Sequence, residues 1–439
     1  MGPFVRLALR NTRRHWRYTM SSTLAIAVGL MSLWLFRGYM HGVGRMYRDF
    51  FQARTMLGDV LIESTRPQGG DPLQSALSPE EQESIEALLS SQPGIMTRVR
   101  FLPIEGQIFL GHAISMFSGL AYDVKEGHIL RREKWGWNAV FGQPLGAAGQ
   151  VIVGRGLAKG LGCQEKGDSH LRRDDAGSAY VPEVRNIRCQ DLESKTPKSM
   201  IEVMTESGQL NAKHFDWSGV MDAGFADIDR TWLMMGLSDG QALLNTQKVG
   251  WYSVGFQLGV DQDFIIKSLE QQAAQQKLSV RITRWDRHEF TDLYRRTMSL
   301  LGVFEIFVNL ILTGIIGVIV FNLMQKSVQE RQREVGLFRS LGYRPFHLQK
   351  LFLYETTLSA IVGVLGGTGL SFLLETVISR LGITYKAGIL SEPVPFAIDL
   401  VFALWVQGAA GFVALGLVVT FFAVRTRVRK PIIECLSSP

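Results

Sequence analysis

His288 and Glu289 are the first residues to examine for chemistry, because a histidine followed by a glutamate begins the H-E-x-x-H arrangement that binds zinc and activates water. Asp292 stands where the second histidine would have to be, so the pair does not make a metalloprotease site. His170 and His214 have no ligand cluster near them in sequence, and no G-x-S-x-G nucleophile elbow occurs. The segment 150–162, QVIVGRGLAKGLG, runs from a strand pattern through glycine into a helix pattern, as a phosphate-binding loop does. No G-x-x-x-x-G-K-[ST] is present, so tight packing is the reading there. These absences predict a chain with no catalytic residue, no metal and no cofactor of its own.

Other polar residues invite structural questions. Glu305 and Asn309 lie one turn apart in an apolar stretch, where a proton relay or a carboxylate reaching the membrane interface are the alternatives. Cys163 and Cys189 flank a polar segment, and a disulfide between them or two unpaired thiols are both open; Cys435 stands apart near the carboxyl end. The most charged stretch is 328–349, VQERQREVGLFRSLGYRPFHLQ, set directly between two long apolar runs.

The elements that position these residues follow from hydropathy. The chain has 439 residues, 46% hydrophobic and 20% charged, with a formal net charge of +7. Four segments, 19–41, 298–324, 351–375 and 400–424, are long and apolar enough to span a bilayer, which needs about 20 residues. The first exceeds the 7–15 residues typical of a signal-peptide core and lacks a cleavage motif, so an uncleaved anchor is expected. Basic residues collect in three places: Arg6, Arg10, Arg13, Arg14 and Arg17; Lys326, Arg331, Arg333, Arg339, Arg344 and Lys350; and Arg425, Arg427, Arg429 and Lys430. By the positive-inside rule, 1–18, 325–350 and 425–439 are then cytoplasmic, and 42–297 and 376–399 are external. Charge placed at membrane boundaries requires no nucleic-acid partner.

The external segment reads as a mixed α+β domain on a helical stalk. Ser78 caps a helix over 78–89 with Pro79 in its first turn. Strands are expected at 59–63, 96–101, 106–109, 113–119, 201–204, 220–225, 252–260 and 279–283, with helices at 237–244 and 263–277. Segment 163–200 is polar and is expected to be an insertion or mobile loop.

On a helical wheel, Val335, Leu337, Phe338 and Leu341 of the charged stretch share one arc. Gln332, Arg333, Gly336, Arg339 and Ser340 lie opposite, while Glu330 and Glu334 project into the apolar arc. Such a face suits a protein partner with an apolar groove and basic groups; a helix lying on the membrane surface is the alternative. In the third apolar segment, Gly363 and Gly367 have the spacing that lets helix backbones approach closely, within the chain or across a dimer.

The run Glu330, Arg331, Arg333, Glu334, Val335, Gly336, Leu337, Arg339, Ser340, Leu341 and Gly342, preceded by Asn322 and Ser327 and followed by Glu355, resembles the signature of the FtsX-like permease family. These are membrane subunits of macrolide-exporter and lipoprotein-release type ABC transporters. The basic amino end, the closing Pro431, Glu434 and Leu436 (with Cys435 where alanine is usual) and VIVGRGLAKGLG with Gly167–Asp168 are similar to other family motifs. Segment 163–200 departs from the family pattern. The resemblance implies a membrane α-helical protein of the bacterial inner membrane, with four transmembrane helices and a large periplasmic α+β domain between helices 1 and 2. It also implies a second permease chain, identical or homologous, and a separate cytoplasmic ATPase dimer that binds ATP and docks on 330–342. Lipoprotein release or export of a periplasmic substrate would follow. The alternative is a regulator of a cell-wall hydrolase or sensor that moves no cargo.

Overall fold

The computed structural model describes residues 16–66, 73–131, 139–166, 170–173, 180–183, 186–189, 197–222, 224–385, 394–428, 431 and 435. Arg6, Arg10, Arg13, Arg14, Gly167, Asp168, Arg429, Lys430, Glu434 and Leu436 lie outside them. The chain divides into two compact units. One comprises Met1–Gly44, Met298–Ile383 and Phe396–Pro439, and the other Arg45–Thr297 with Thr384–Pro395.

Helix α1 (Trp16–Asp49) runs on past the apolar stretch and ends in a π-helical turn, Phe50–Arg54. The α+β unit then follows in chain order: β1 (Val60–Ser64), α2 (Pro79–Ser91), β2 (Ile95–Leu110), β3 (Ala113–Tyr122), α3 (Val124–Leu130), β4 (Ala139–Gly142), β5 (Gln150–Gly154) and α4 (Arg155–Gly160). It continues with β6 (Cys163–Lys166), β7 (His170–Arg173), β8 (Tyr180–Glu183), β9 (Asn186–Cys189), β10 (Lys198–Met204), β11 (Leu210–Met221), α5 (Ala226–Asp229), β12 (Trp232–Gly236), α6 (Leu237–Leu244), β13 (Trp251–Phe256), α7 (Gln262–Gln275) and β14 (Val280–Arg284). Helix α2 begins as its sequence dictates: the Ser78 hydroxyl accepts from the Glu81 amide, and the Glu81 carboxylate accepts from the Ser78 amide.

Two expectations are corrected here. Segments 96–101 and 106–109 are one strand of 16 residues, β2, rather than two. One edge of β2 is shared between two partners, β13 at Ile95–Phe101 and β10 at Gly106–Phe109, and its other edge pairs with β3. The paired strands β10–β11–β5–β12–β3–β2 therefore close back on β10. The strand passes through this junction at Gly106, where a Cβ would lie 2.2 Å from the Glu202 carbonyl oxygen. Residues 102–105, the gap between the two expected runs, include Pro103, which pairs with Leu120 inside the continuous strand. The second correction concerns segment 163–200. Among its described residues it holds two antiparallel pairs, β6 with β9 and β7 with β8, and Cys163 and Cys189 are disulfide-bonded across the first. Alternating buried residues of the sheet, among them Val60, Ile62, Leu102, Ile104, Val151, Val153, Leu233, Tyr252 and Val254, pack with α2, α6 and α7 to form the core of this unit.

After it come α8 (Asp292–Glu330), α9 (Gln332–Ser340), α10 (Pro345–Leu381), the short pair β15 (Thr384–Tyr385) and β16 (Val394–Pro395), and α11 (Phe402–Val428). Helices within Met20–Gln52, Glu289–Glu330, Pro345–Leu381 and Phe402–Val428 are long and apolar enough to cross a membrane. Ile26, Leu30, Ile316, Val320, Ala360, Val364 and Phe412 from all four share one packed core. Gly363 and Gly367 lie where α10 meets α1. A Cβ at Gly367 would come 2.6 Å from the Ala27 carbonyl oxygen, and one at Gly363 would come 2.8 Å from Ile26. The small-residue pair thus serves packing within the chain. Arg37 of α1 approaches the half-buried Glu305 at 3.7 Å and donates to Gln407 of α11 at 3.2 Å, which joins three helices through polar groups.

Candidate docking site on the charged loop

Helix α8 ends at Glu330, and Arg331 adopts a non-helical conformation that separates it from α9. This break turns the Arg331 side chain inward, where it is 8% exposed. Its guanidinium donates to both oxygens of Glu355 on α10, at 2.7 and 3.3 Å, and to Glu334 at 3.2 Å, and it lies 5.0 Å above the Phe352 ring. Burial alone would lower the Arg331 pKa, but Glu355 and Glu334 more than offset it and hold the guanidinium above its ordinary value. A fork–fork contact of this kind fixes orientation as well as distance.

The far end of α9 is equally determined by sequence. Gly342 has a φ of +91°, its amide bonds to the Arg339 carbonyl, and the Tyr343 amide bonds to the Phe338 carbonyl. This is the glycine-terminated helix end that satisfies the last carbonyls, and Pro345 then opens α10. Val335 packs with Val328, Leu348, Phe352, Val424 and Val428, with Phe338 at the margin. Arg339 donates to the Val428 carbonyl at 3.2 Å, and Gln332 reaches the buried Cys435 thiol at 3.9 Å. The helix is therefore fastened to α10 and to the end of α11.

The burial pattern corrects the helical wheel. Gln332 and Gly336, placed opposite the apolar arc on the wheel, are buried together with Val335, while Leu337 and Leu341 of that arc are 56% and 69% exposed. The reason is that Val335 and Leu337 stand about 160° apart at 3.6 residues per turn, and the side carrying Val335 is the one that packs against α10 and α11. The charge of the outer face also differs from expectation. Glu334 is turned to Arg331, whereas Arg333, Arg344 and Lys350 are exposed beside Leu337, Leu341, Tyr343 and Phe346, with Glu330 the exposed acid of the α9 signature. The face is apolar with a basic surround, which suits acidic groups on a partner rather than basic ones.

Arg331 as the buried anchor was missed in the sequence reading. One signal could have found it: Glu355, a lone acid in an apolar helix, needs a cation, and Arg331 lies in the neighbouring loop. Among the described residues no group of three or more His, Cys, Asp or Glu is arranged to hold a metal ion.

The family model "FtsX-like permease C-terminal" matches residues 306–432, which include α9 and its anchors. The chain is similar to the lipoprotein-releasing system transmembrane protein LolC of Xylella fastidiosa (strain 9a5c), 25% identical over 219 residues, covering 48% of this chain and 51% of that protein. It is also similar to the macrolide export ATP-binding/permease protein MacB of Psychrobacter cryohalolentis, 39% identical over 66 residues, covering 15% of this chain and 10% of MacB. The chain thus spans about half the length of the LolC relatives it matches. Among solved structures, the periplasmic region of MacB from Actinobacillus actinomycetemcomitans aligns with a TM-score of 0.34 at 13% identity, covering 55% of this chain and 92% of that one. The resemblance first drawn from the charged stretch therefore holds: residues 306–432 are FtsX-like permease sequence.

Proposed function

We propose that this chain is the permease subunit of an ABC transporter in the bacterial inner membrane, driven by a separate cytoplasmic ATPase dimer that docks on α9. The observation that carries the reading is the division of α9 into two faces. One is fixed to α10 and α11 by Arg331, Val335 and Arg339; the other presents Leu337, Leu341 and Arg333 outward. A helix held this firmly can pass a push from a partner into the helices that carry it, which a loosely tethered loop would absorb. In this reading the α+β unit is periplasmic, a second permease chain completes the membrane part, and motion reaches the α+β unit through α1 and α8. Lipoprotein release is the favoured role, because the LolC proteins match a longer stretch of this chain than the MacB protein compared above.

Two substitutions test the docking face. Leu337→Asp combined with Leu341→Asp places carboxylates on exposed positions that the fold of α9 does not use. Co-purification of the ATPase from membranes should fall below detection while the permease inserts normally. ATPase recovery at the parental level would refute docking at α9. Glu334 and Phe338 are poorer choices, since Glu334 holds Arg331 and Phe338 packs on the anchor core.

A further inference from the structure

An open groove of about 690 Å³ runs along α8 beside Leu415 of α11. Leu310, Gly314, Gly317 and Phe321 line it, spaced four, three and four residues apart, which is the period of a seam between two helices. Leu310 is 70% exposed. A Cβ at Gly314 would meet nothing within 4 Å, and one at Gly317 would touch only the Leu415 side chain, at 3.7 Å. A large apolar side chain and unfilled space one turn away thus share one face of the helix.

The seam alone would suit lipid; two polar side chains in the groove do not. Asn309 and Thr313 lie on either side of position 311, the midpoint of the apolar segment 298–324. Each is about 16 Å from the nearer end of that segment, well beyond the reach of so short a side chain. Both are half-buried, and neither Asn309 Nδ2 nor Thr313 Oγ1 has a hydrogen-bond partner among the described residues. The Asn309 Oδ1 is enclosed, whereas Nδ2 and the Thr313 hydroxyl are open to the groove. Thr313 is unusual in this. Thr356, Thr357, Thr368 and Thr376 of α10 each donate to the carbonyl four residues earlier, at 2.7–3.0 Å. Hydrocarbon offers the Asn309 and Thr313 groups no partner, and leaving them unbonded there is costly.

We propose that the groove seats a second copy of this chain, with the two α8 helices parallel about a two-fold axis along the membrane normal. Leu310 of each copy then fills the space over Gly314 and Gly317 of the other. The Asn309 Nδ2 donates to the hydroxyl of the partner's Thr313, once in each direction. An acyl chain could fill the groove but would accept no hydrogen bond. A different membrane chain would need its own polar groups at this depth, whereas a copy carries the matching pair by symmetry. The inference rests on the transporter reading for the presence of a second permease chain, and adds that this chain is its own partner.

The test is disulfide cross-linking of the full chain in membranes. Leu310→Cys should give a product of twice the chain mass on mild oxidation. The parent should give none, nor should Ile315→Cys, 53% exposed and about 140° away around α8. Energy transfer between labelled copies in liposomes measures the polar contact. Asn309→Leu and Thr313→Val should each weaken self-association about tenfold, while Thr313→Ser, which keeps the hydroxyl, should associate as the parent does. No Leu310→Cys dimer, an adduct only with a different protein, or equal association of the parent, Asn309→Leu and Thr313→Val would each overturn the proposal. ATPase recovery from the same membranes reads docking on α9 separately: a cross-linked dimer without the ATPase would refute that docking and uphold the α8 contact.

Discussion

Replacing Arg331 by Met is the sharpest perturbation of the anchored loop. The side chain is 8% exposed and its partner Glu355 14%, so the pair is well shielded though not sealed from water. Deleting one member of a buried pair costs about 3–5 kcal/mol, because the other charge is left without compensation. The residual exposure of Glu355 favours the lower end, and loss of the stacking on Phe352 adds up to about 1 kcal/mol. At about 3–4 kcal/mol, and with opening confined to α9, the open population should rise roughly 150- to 850-fold. Amide hydrogen exchange across Gln332–Ser340 in nanodiscs reads this directly. The double variant Arg331→Met, Glu355→Leu leaves no orphaned charge and should recover most of the protection. Unchanged exchange in Arg331→Met, or strictly additive effects in the double variant, would refute the anchoring argument.

Three further outcomes follow from local geometry. Gly367→Ala should destabilise the membrane unit by about 1–3 kcal/mol, whereas Gly366→Ala, whose Cβ would meet only Ala27 Cβ at 3.8 Å, should not; thermal midpoints in detergent compare the two. Cys163→Ser with Cys189→Ser opens a bridge across 26 positions and should cost about 3 kcal/mol by loop entropy, seen as a lower Tm that reductant no longer changes. Glu63 supplies a pH dependence. Burial alone would raise its pKa, but His288 and Arg281 more than offset this and hold the folded carboxyl below its ordinary value. Its stabilising contribution is then complete above the unfolded value of about 4.3 and lost as pH falls through the folded value. Acid titration of Tm should therefore be flatter in Glu63→Gln than in the parent.

The parts legible in sequence were those set by local pattern: apolar length for the four helices, capping residues for α2, and the glycine–proline punctuation around α9. Long-range pairing was not legible. Nothing near Gly106 announces that β2 continues alongside β10, and polar residues after Cys163 hide two antiparallel strand pairs because a thin, disulfide-tied pair needs little apolar alternation. The signature at 330–342 covers α9, but which of its residues face outward depends on which side packs against α10 and α11. Those packing partners are in other helices, so a wheel drawn on 328–341 could not show it.

Cross-linking from Leu337→Cys to a co-expressed ATPase, in membranes, tests the central claim most directly. The account predicts an adduct between the permease and the nucleotide-binding subunit, with none formed from Lys213→Cys on the α+β unit. An ATPase that co-purifies yet cross-links only through Lys213→Cys would contradict it.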